Sequence, residues 1–250
     1  HITATLVTQY GRGLADQVRA ESTAASTAQN RVSAVNRVMH MATHGQWKPI
    51  SPTRACGISE RNHVRQDKPQ ALDRGAYEAQ LQVVRGKAGE RAVAVCELAR
   101  ELGLRSKEAS LFDARTALKQ AHKTGSVSVS DGTKGGRYRQ VPITTEAQRA
   151  ALERAAKAQG AASAVMPAES NWKSWRSGEL RLAREAIGGL HELRAAYACE
   201  RYEALTGHKA PCAGGQIHDK AADKAARQKI SAELGHGRIE VVNAYVGGQR

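Results

Sequence analysis

Six side chains in four short stretches of this sequence have the types and spacing needed to break a phosphodiester without a metal ion. Arg105 precedes Glu108 by three positions in GLRSKEASLF. Lys134 sits among glycines in DGTKGGRYRQV. His191 and Arg194, at i and i+3 in GLHELRAAYA, share one face of a helix. His236 and Tyr245 close the set in GHGRIEVVNAYVGG. Two guanidiniums present planar, forked donors to non-bridging phosphate oxygens. A lysine or histidine can hand a proton to a departing oxygen. A tyrosine hydroxyl, inert at its ordinary pKa near 10, becomes a usable nucleophile beside such positive charge. No acidic cluster of metal-ligand character accompanies these residues, so fixed cations would do the work of a metal. Neither metal nor cofactor is expected.

Taken singly, each stretch also has an ordinary reading. Ser106 could cap a helix beginning after Arg105, Lys134 could be an exposed turn lysine, and Tyr245 could be packing. Cys199, His208, Cys212 and His218 lie at spacings that match no common zinc finger, and they read as a polar loop with two thiols. Trp47, Trp172 and Trp175 read as packing residues, and nothing separates solvent from phosphate as the partner of His40, His44 and His63.

The elements that must position the set are mostly helical. Leu6, Tyr10, Leu14 and Val18 form one helical stripe, and Val32, Val35, Val38 and Met39 a second. WKPISPTRACG breaks the pattern. Periodicity resumes at Tyr77, Leu81 and Val84, then at Val93, Leu98 and Leu102. Val127 and Val129 alternate with serines before a glycine-rich turn and Tyr138, Val141 and Ile143, the mark of a β-hairpin. Thr145 and Gln148 form a capping box for the next helix. The fold class is therefore mainly α with a small β-sheet (α+β). The polar, Pro69-containing segment around 65–75 reads as a linker between a small helical domain and a larger one.

The 250 residues carry 38 Lys and Arg against 24 Asp and Glu, a net charge of +14, which attracts polyanions and nucleic acid above all. Between 31 and 68 the cations Arg31, Arg37, Lys48, Arg54, Arg61, Arg65 and Lys68 face only Glu60 and Asp67, giving the N-terminal helices a basic, DNA-binding character. No apolar run is long enough to span a membrane. With no visible signal peptide (the chain opens on His1) and four scattered cysteines, a cytoplasmic, nucleoid-associated setting is expected.

Together and in this order, the four stretches resemble the tyrosine recombinase (phage integrase) family. GLRSKEASLF resembles its first arginine box, TKGGRYRQVPI its β-hairpin lysine, HELR its His-x-x-Arg box, and GHGRIEVVNAY its Gly-His box leading to the nucleophilic tyrosine. TAQNRVSAVNRVM resembles, more weakly, the family's helical core-binding domain. The resemblance implies a SAM-like core-binding domain over 1–66, a linker over 67–75 and a catalytic domain over 76–250. By position it implies that Arg105 and Arg194 bind the scissile phosphate and that Lys134 protonates the leaving 5′ oxygen. His191 would assist proton removal from the nucleophile Tyr245, His236 would hydrogen-bond the phosphate, and Glu108 would support the first arginine box. The implied partner is a double-stranded DNA recombination site, bound by a dimer and exchanged in a tetramer. Two departures from the family pattern stand out. Residues 201–229 look like an inserted loop, and only five residues follow Tyr245, leaving a short or missing tail. A silent DNA-binding protein of this fold and a type IB-like topoisomerase are the rival readings.

Overall fold

The computed structural model describes residues 1–248. The chain divides into two compact units, residues 1–62 and residues 63–250.

The first unit is built on α1 (Ala4–Arg19), whose N-terminus is capped by the Thr3 hydroxyl, and α2 (Ala25–Ala42). The buried stripe of α1 is Val7, Gly11, Leu14 and Ala15, whereas Leu6 and Tyr10 are about half exposed. The expected stripe was rotated because small residues make the contact face. A Cβ on Gly11 would stand 2.2 Å from the Cys56 sulfur, so the glycine lets the loop close onto the helix. In α2 the buried residues are Ala28, Gln29 and Val32, and Val38 is exposed. Cys56 and Ile58 complete this small core.

The second unit is organised around α3 (Arg74–Leu102), which breaks at Gly89 and packs against four of the later helices. Tyr77, Leu81 and Val84 are buried before the break, and Val93, Leu98 and Leu102 after it. Next come α4 (Ser106–Ser110) and α5 (Ala114–Thr124). Strands β1 (Ser126–Val129) and β2 (Arg139–Pro142) then pair antiparallel, with Val127 opposite Val141 and Val129 opposite Arg139. The Thr145–Gln148 capping box opens α6 (Glu146–Gln159), as its sequence predicts. Helices α7 (Trp172–Ser177), α8 (Glu179–Ala186), α9 (Leu190–Thr206) and α10 (Lys220–Glu233) follow. A 3₁₀ turn (Ile239–Val242) leads into the short α11 (Asn243–Val246). The mainly α class with one small sheet is what the structure shows. The last two residues of the short tail lie outside the described residues.

Two expectations about connections are corrected. The divide between the units falls between Asn62 and His63, ahead of the expected 67–75 linker. That segment is fastened to the second unit: Pro69 and Ala71 are buried, the Ala71 carbonyl accepts a 2.8 Å bond from Arg100 Nε, and Asp73 caps α3. Residues 201–229 are mostly not a loop, since 201–206 continue α9 and 220–229 belong to α10. Only 207–219 is irregular, and it contains a 3₁₀ turn, Pro211–Ala213.

Candidate active site

The site is assembled where the ends of α3, α4, α9 and α10 meet. Arg105 is the residue that caps α4. Its backbone N–H and its Nη1 donate to the two Glu108 carboxylate oxygens at 2.8 and 2.7 Å. Glu108 therefore closes the helix start, and Ser106 lies inside the helix rather than capping it. The carboxylate of Glu108 is fully buried and also takes a forked pair from Arg139 on β2, at 2.6 and 3.0 Å. Burial alone would raise this carboxyl, but the hydrogen bonds and charge of Arg139, then those of Arg105, outweigh it and hold it below the usual carboxylate range.

Arg139 is a site residue that the sequence reading passed over. Its Nε donates to the Glu233 carbonyl at 2.7 Å, which ties the hairpin to the end of α10. The signal was available: in a half-buried strand, Arg139 falls on the same inward face as Val141, two positions on. An arginine on a buried face must find charge partners nearby.

Arg194, on α9, is almost wholly buried. Its Nη1 donates to the Gly103 carbonyl and its Nη2 to the Leu234 carbonyl, so the C-terminal ends of α3 and α10 clamp one guanidinium. Gly103 adopts φ +62°, and a Cβ there would stand 2.5 Å from the Tyr197 ring. The remaining Nε donates to the Tyr245 hydroxyl at 3.3 Å. Burial pushes the Arg194 pKa down to about 10, which still leaves the group charged at neutral pH.

Tyr245 sits on α11, 3% exposed. Its hydroxyl lies 3.1 Å from His236 Nε2, which is itself 3.3 Å from Arg194 Nη2. A guanidinium only donates, so Nε2 carries the lone pair and the imidazole is neutral. Burial, then the charges of Arg194, Arg105 and Arg139, push the His236 pKa down to about 3. The tyrosine oxygen thus accepts from Arg194 Nε while its proton faces the His236 Nε2 lone pair, which Arg194 Nη2 shares. His191 meets Tyr245 differently, ring to ring with centroids 5.1 Å apart. His236, not His191, is in hydrogen-bond reach of the hydroxyl. An open cleft of about 390 Å³ lies over the site, lined by Arg105, Ser106, Arg184, Gly189, Leu190, His191 and Arg194, with no carboxylate in its wall.

Lys134 is exposed in the turn between β1 and β2 and makes no hydrogen bond or ion pair with the described residues. The turn itself is held against α4. Gly132 has φ +71°, and a Cβ on it would lie 2.9 Å from the Lys107 carbonyl. The structure therefore brings together Arg105, Glu108, His191, Arg194, His236 and Tyr245, and leaves Lys134 on a tether beside them.

Six of the seven N-terminal cations, those expected to bind DNA, fare unequally. Arg31, Arg37, Lys48 and Arg54 are exposed. Arg61 is engaged by the side chains of Gln29 and Asn30 at 2.6 and 2.7 Å. Arg65 pairs with Glu192 at 2.6 Å and donates to the Asp67 carbonyl, and its own N–H bonds the Asn243 carbonyl at 2.9 Å. It is a strut between the start of α9 and α11, a role that its place in a basic stretch concealed. Cys199 and Cys212 are both buried with sulfurs 3.5 Å apart, and the His208 and His218 rings pack on each other. Trp175 is buried and donates to Ser110 Oγ, and Trp47 donates to Asn36.

A family model described as integrase matches residues 59–200, more than half of the chain. The chain belongs to the tyrosine recombinase (phage integrase) family. Solved integrase structures share its fold. A lambda integrase (residues 75–356) dimer bound to a COC′ core site is 16% identical, with a TM-score of 0.61 over 98% of this chain and 79% of that one. The Tn1549 transposon integrase (residues 82–397), in complex with circular intermediate DNA, is 12% identical, with a TM-score of 0.59 over 100% of this chain and 82% of that one. No curated protein matches the chain. The family match ends at residue 200, so in this integrase His236 and Tyr245 rest on the geometry above. Among the described residues no helix is long and apolar enough to cross a membrane.

Proposed function

We propose that this integrase is an active site-specific recombinase that cuts and rejoins DNA through a covalent 3′-phosphotyrosine. The observation that carries the reading is the Tyr245 hydroxyl held between Arg194 Nε and the unprotonated Nε2 of His236. A backbone phosphate entering the cationic cleft would meet Arg105 and Arg194. Tyr245 Oη attacks phosphorus, and the tyrosine proton passes to His236, whose proton affinity rises once the negative phosphate stands among the arginines. The P–O5′ bond breaks, and Lys134 gives its proton to the departing 5′ oxygen. Attack by a 5′ hydroxyl of the partner strand reverses the step. One phosphodiester is exchanged for another, so no ATP is consumed, and fixed cations stabilise the developing charge. His191 packs against the tyrosine ring and orients it. The first unit, residues 1–62, acts as the core-binding domain, offering Arg31, Arg37, Lys48 and Arg54 to the phosphates. As in the DNA-bound integrase dimer that shares its fold, two protomers occupy a site, and two such pairs form the synapse.

The test is strand exchange between labelled duplexes taken from DNA flanking the chain's own gene, in excess EDTA. Recombinant products are expected. Relaxation of a supercoiled plasmid lacking those sequences, with no exchange between duplexes, would assign a topoisomerase instead. DNA binding with neither outcome would assign a silent accessory protein.

A further inference from the structure

Arg184, at the end of α8, lies on the border of two cationic clefts. One is the cleft over the active site, shared with Arg105, His191 and Arg194. The other is a neighbouring cleft of similar size, lined by Trp172, Lys173, Arg176, Ser177, Arg181 and Arg184. Neither wall contains a carboxylate. Arg184 Nη2 donates to the Arg176 carbonyl at 3.3 Å, which links the guanidinium to the end of α7. Its Nε is buried and has no hydrogen-bond partner. A buried donor left unmet is costly, and an acceptor brought within its reach would relieve that cost. Arg181, by contrast, is neutralised by Glu185 at 2.6 Å.

Two anion-accepting clefts that share one arginine fit the repeat of a single nucleic-acid strand, whose charges recur every few ångströms. Accepting the strand-transfer reading above, we infer that Arg184, with Lys173 and Arg176, holds the phosphate next to the scissile one on the cut strand. It is a positioning residue: it touches the substrate backbone but not the reacting atoms. Its effect is to fix the register in which the scissile phosphate enters between Arg105 and Arg194.

The test is a cycle on the nicked duplex used to trap the covalent adduct. Replacing the neighbouring phosphate by an uncharged methylphosphonate slows wild-type adduct formation about tenfold, the scale of one charge-assisted hydrogen bond. Arg184→Gln slows the all-phosphate duplex by a similar factor and the methylphosphonate duplex no further. Arg184→Lys, which keeps the charge, restores most of the rate on the all-phosphate duplex. If Arg184→Gln lowers the thermal midpoint, Arg176→Gln, altering an exposed side chain of the same cleft, is run through the same cycle with the same non-additivity expected. Fully additive effects of the substitution and the methylphosphonate would overturn the inference while leaving the function intact. No adduct from the wild type would overturn the function, and the inference with it.

Discussion

At the scale of single residues, the site is a network in which each arginine is held by something that cannot move far. Glu108 is its centre, fully buried and shared by Arg105 and Arg139. Removing one charge from a buried, paired set leaves the partners uncompensated, at a cost of about 3 kcal/mol or more. Glu108→Gln is therefore expected to lose about that much stability in urea unfolding and to slow adduct formation, because Arg105 loses its anchor. His236 makes a second prediction. Its folded pKa is pushed down to about 3 from an ordinary 6.5. Below pH 6.5 the unfolded chain takes up a proton at this position that the folded chain refuses, so stability falls as pH falls, until the folded value is reached. Above 6.5 the residue contributes no slope. Thermal midpoints measured between neutral pH and about 4 are expected to fall less steeply in His236→Gln than in wild type. An equal slope in both would mean that the imidazole is solvated and not held neutral by its neighbours.

Elements set how the residues meet. Arg194 is pinned by the carbonyl ends of two helices, α3 and α10, and α11 is tied through Asn243 and Arg65 to the segment that precedes α3. The β-hairpin behaves differently. Arg139, at the start of β2 beside the turn, is buried and bonded, while Lys134 in the turn is exposed and unpaired among the described residues. Such a lysine can reach a leaving oxygen only once DNA stands in the cleft. Lys134→Ala should slow cleavage by at least about a hundredfold, the usual scale for general acid catalysis, with DNA affinity nearly unchanged. A substrate with a bridging 5′ sulfur, which leaves without a proton, should restore the rate. If it does not, the acid is another group, His191 first. The elements also show where sequence was readable. Periodicity located α3, the hairpin and the α6 cap because apolar alternation and capping chemistry are local. It misplaced the buried face of α1, where Gly11 and Ala15 make the contact, because small residues carry little hydrophobic signal yet permit close approach. It read 220–229 as loop although these residues belong to α10, because Ala and Lys form helix without an obvious stripe.

The whole molecule joins a small basic unit to a larger one that holds the proposed site. The proposed catalytic set could be drawn up from the sequence because chemistry fixes residue type: a tyrosine, the cations that would serve it and their order are visible without coordinates. What joins them was not, since the Arg139–Glu108 pair spans 31 positions and the Arg65–Glu192 strut 127. Long-range pairing leaves no periodic trace. The account stands or falls on one hydroxyl. Tyr197 and Tyr202, the nearest rivals in sequence, are buried and spend their hydroxyls on Glu233 and Asp223. Tyr245→Phe removes one oxygen and little volume, so folding and DNA binding should survive. The decisive measurement is mass-spectrometric mapping of the denaturant-resistant adduct formed on a nicked duplex from the gene's flanking DNA. The account predicts attachment at Tyr245 in the wild type and no adduct from Tyr245→Phe. Attachment at any other residue, or an adduct that persists in Tyr245→Phe, would contradict it.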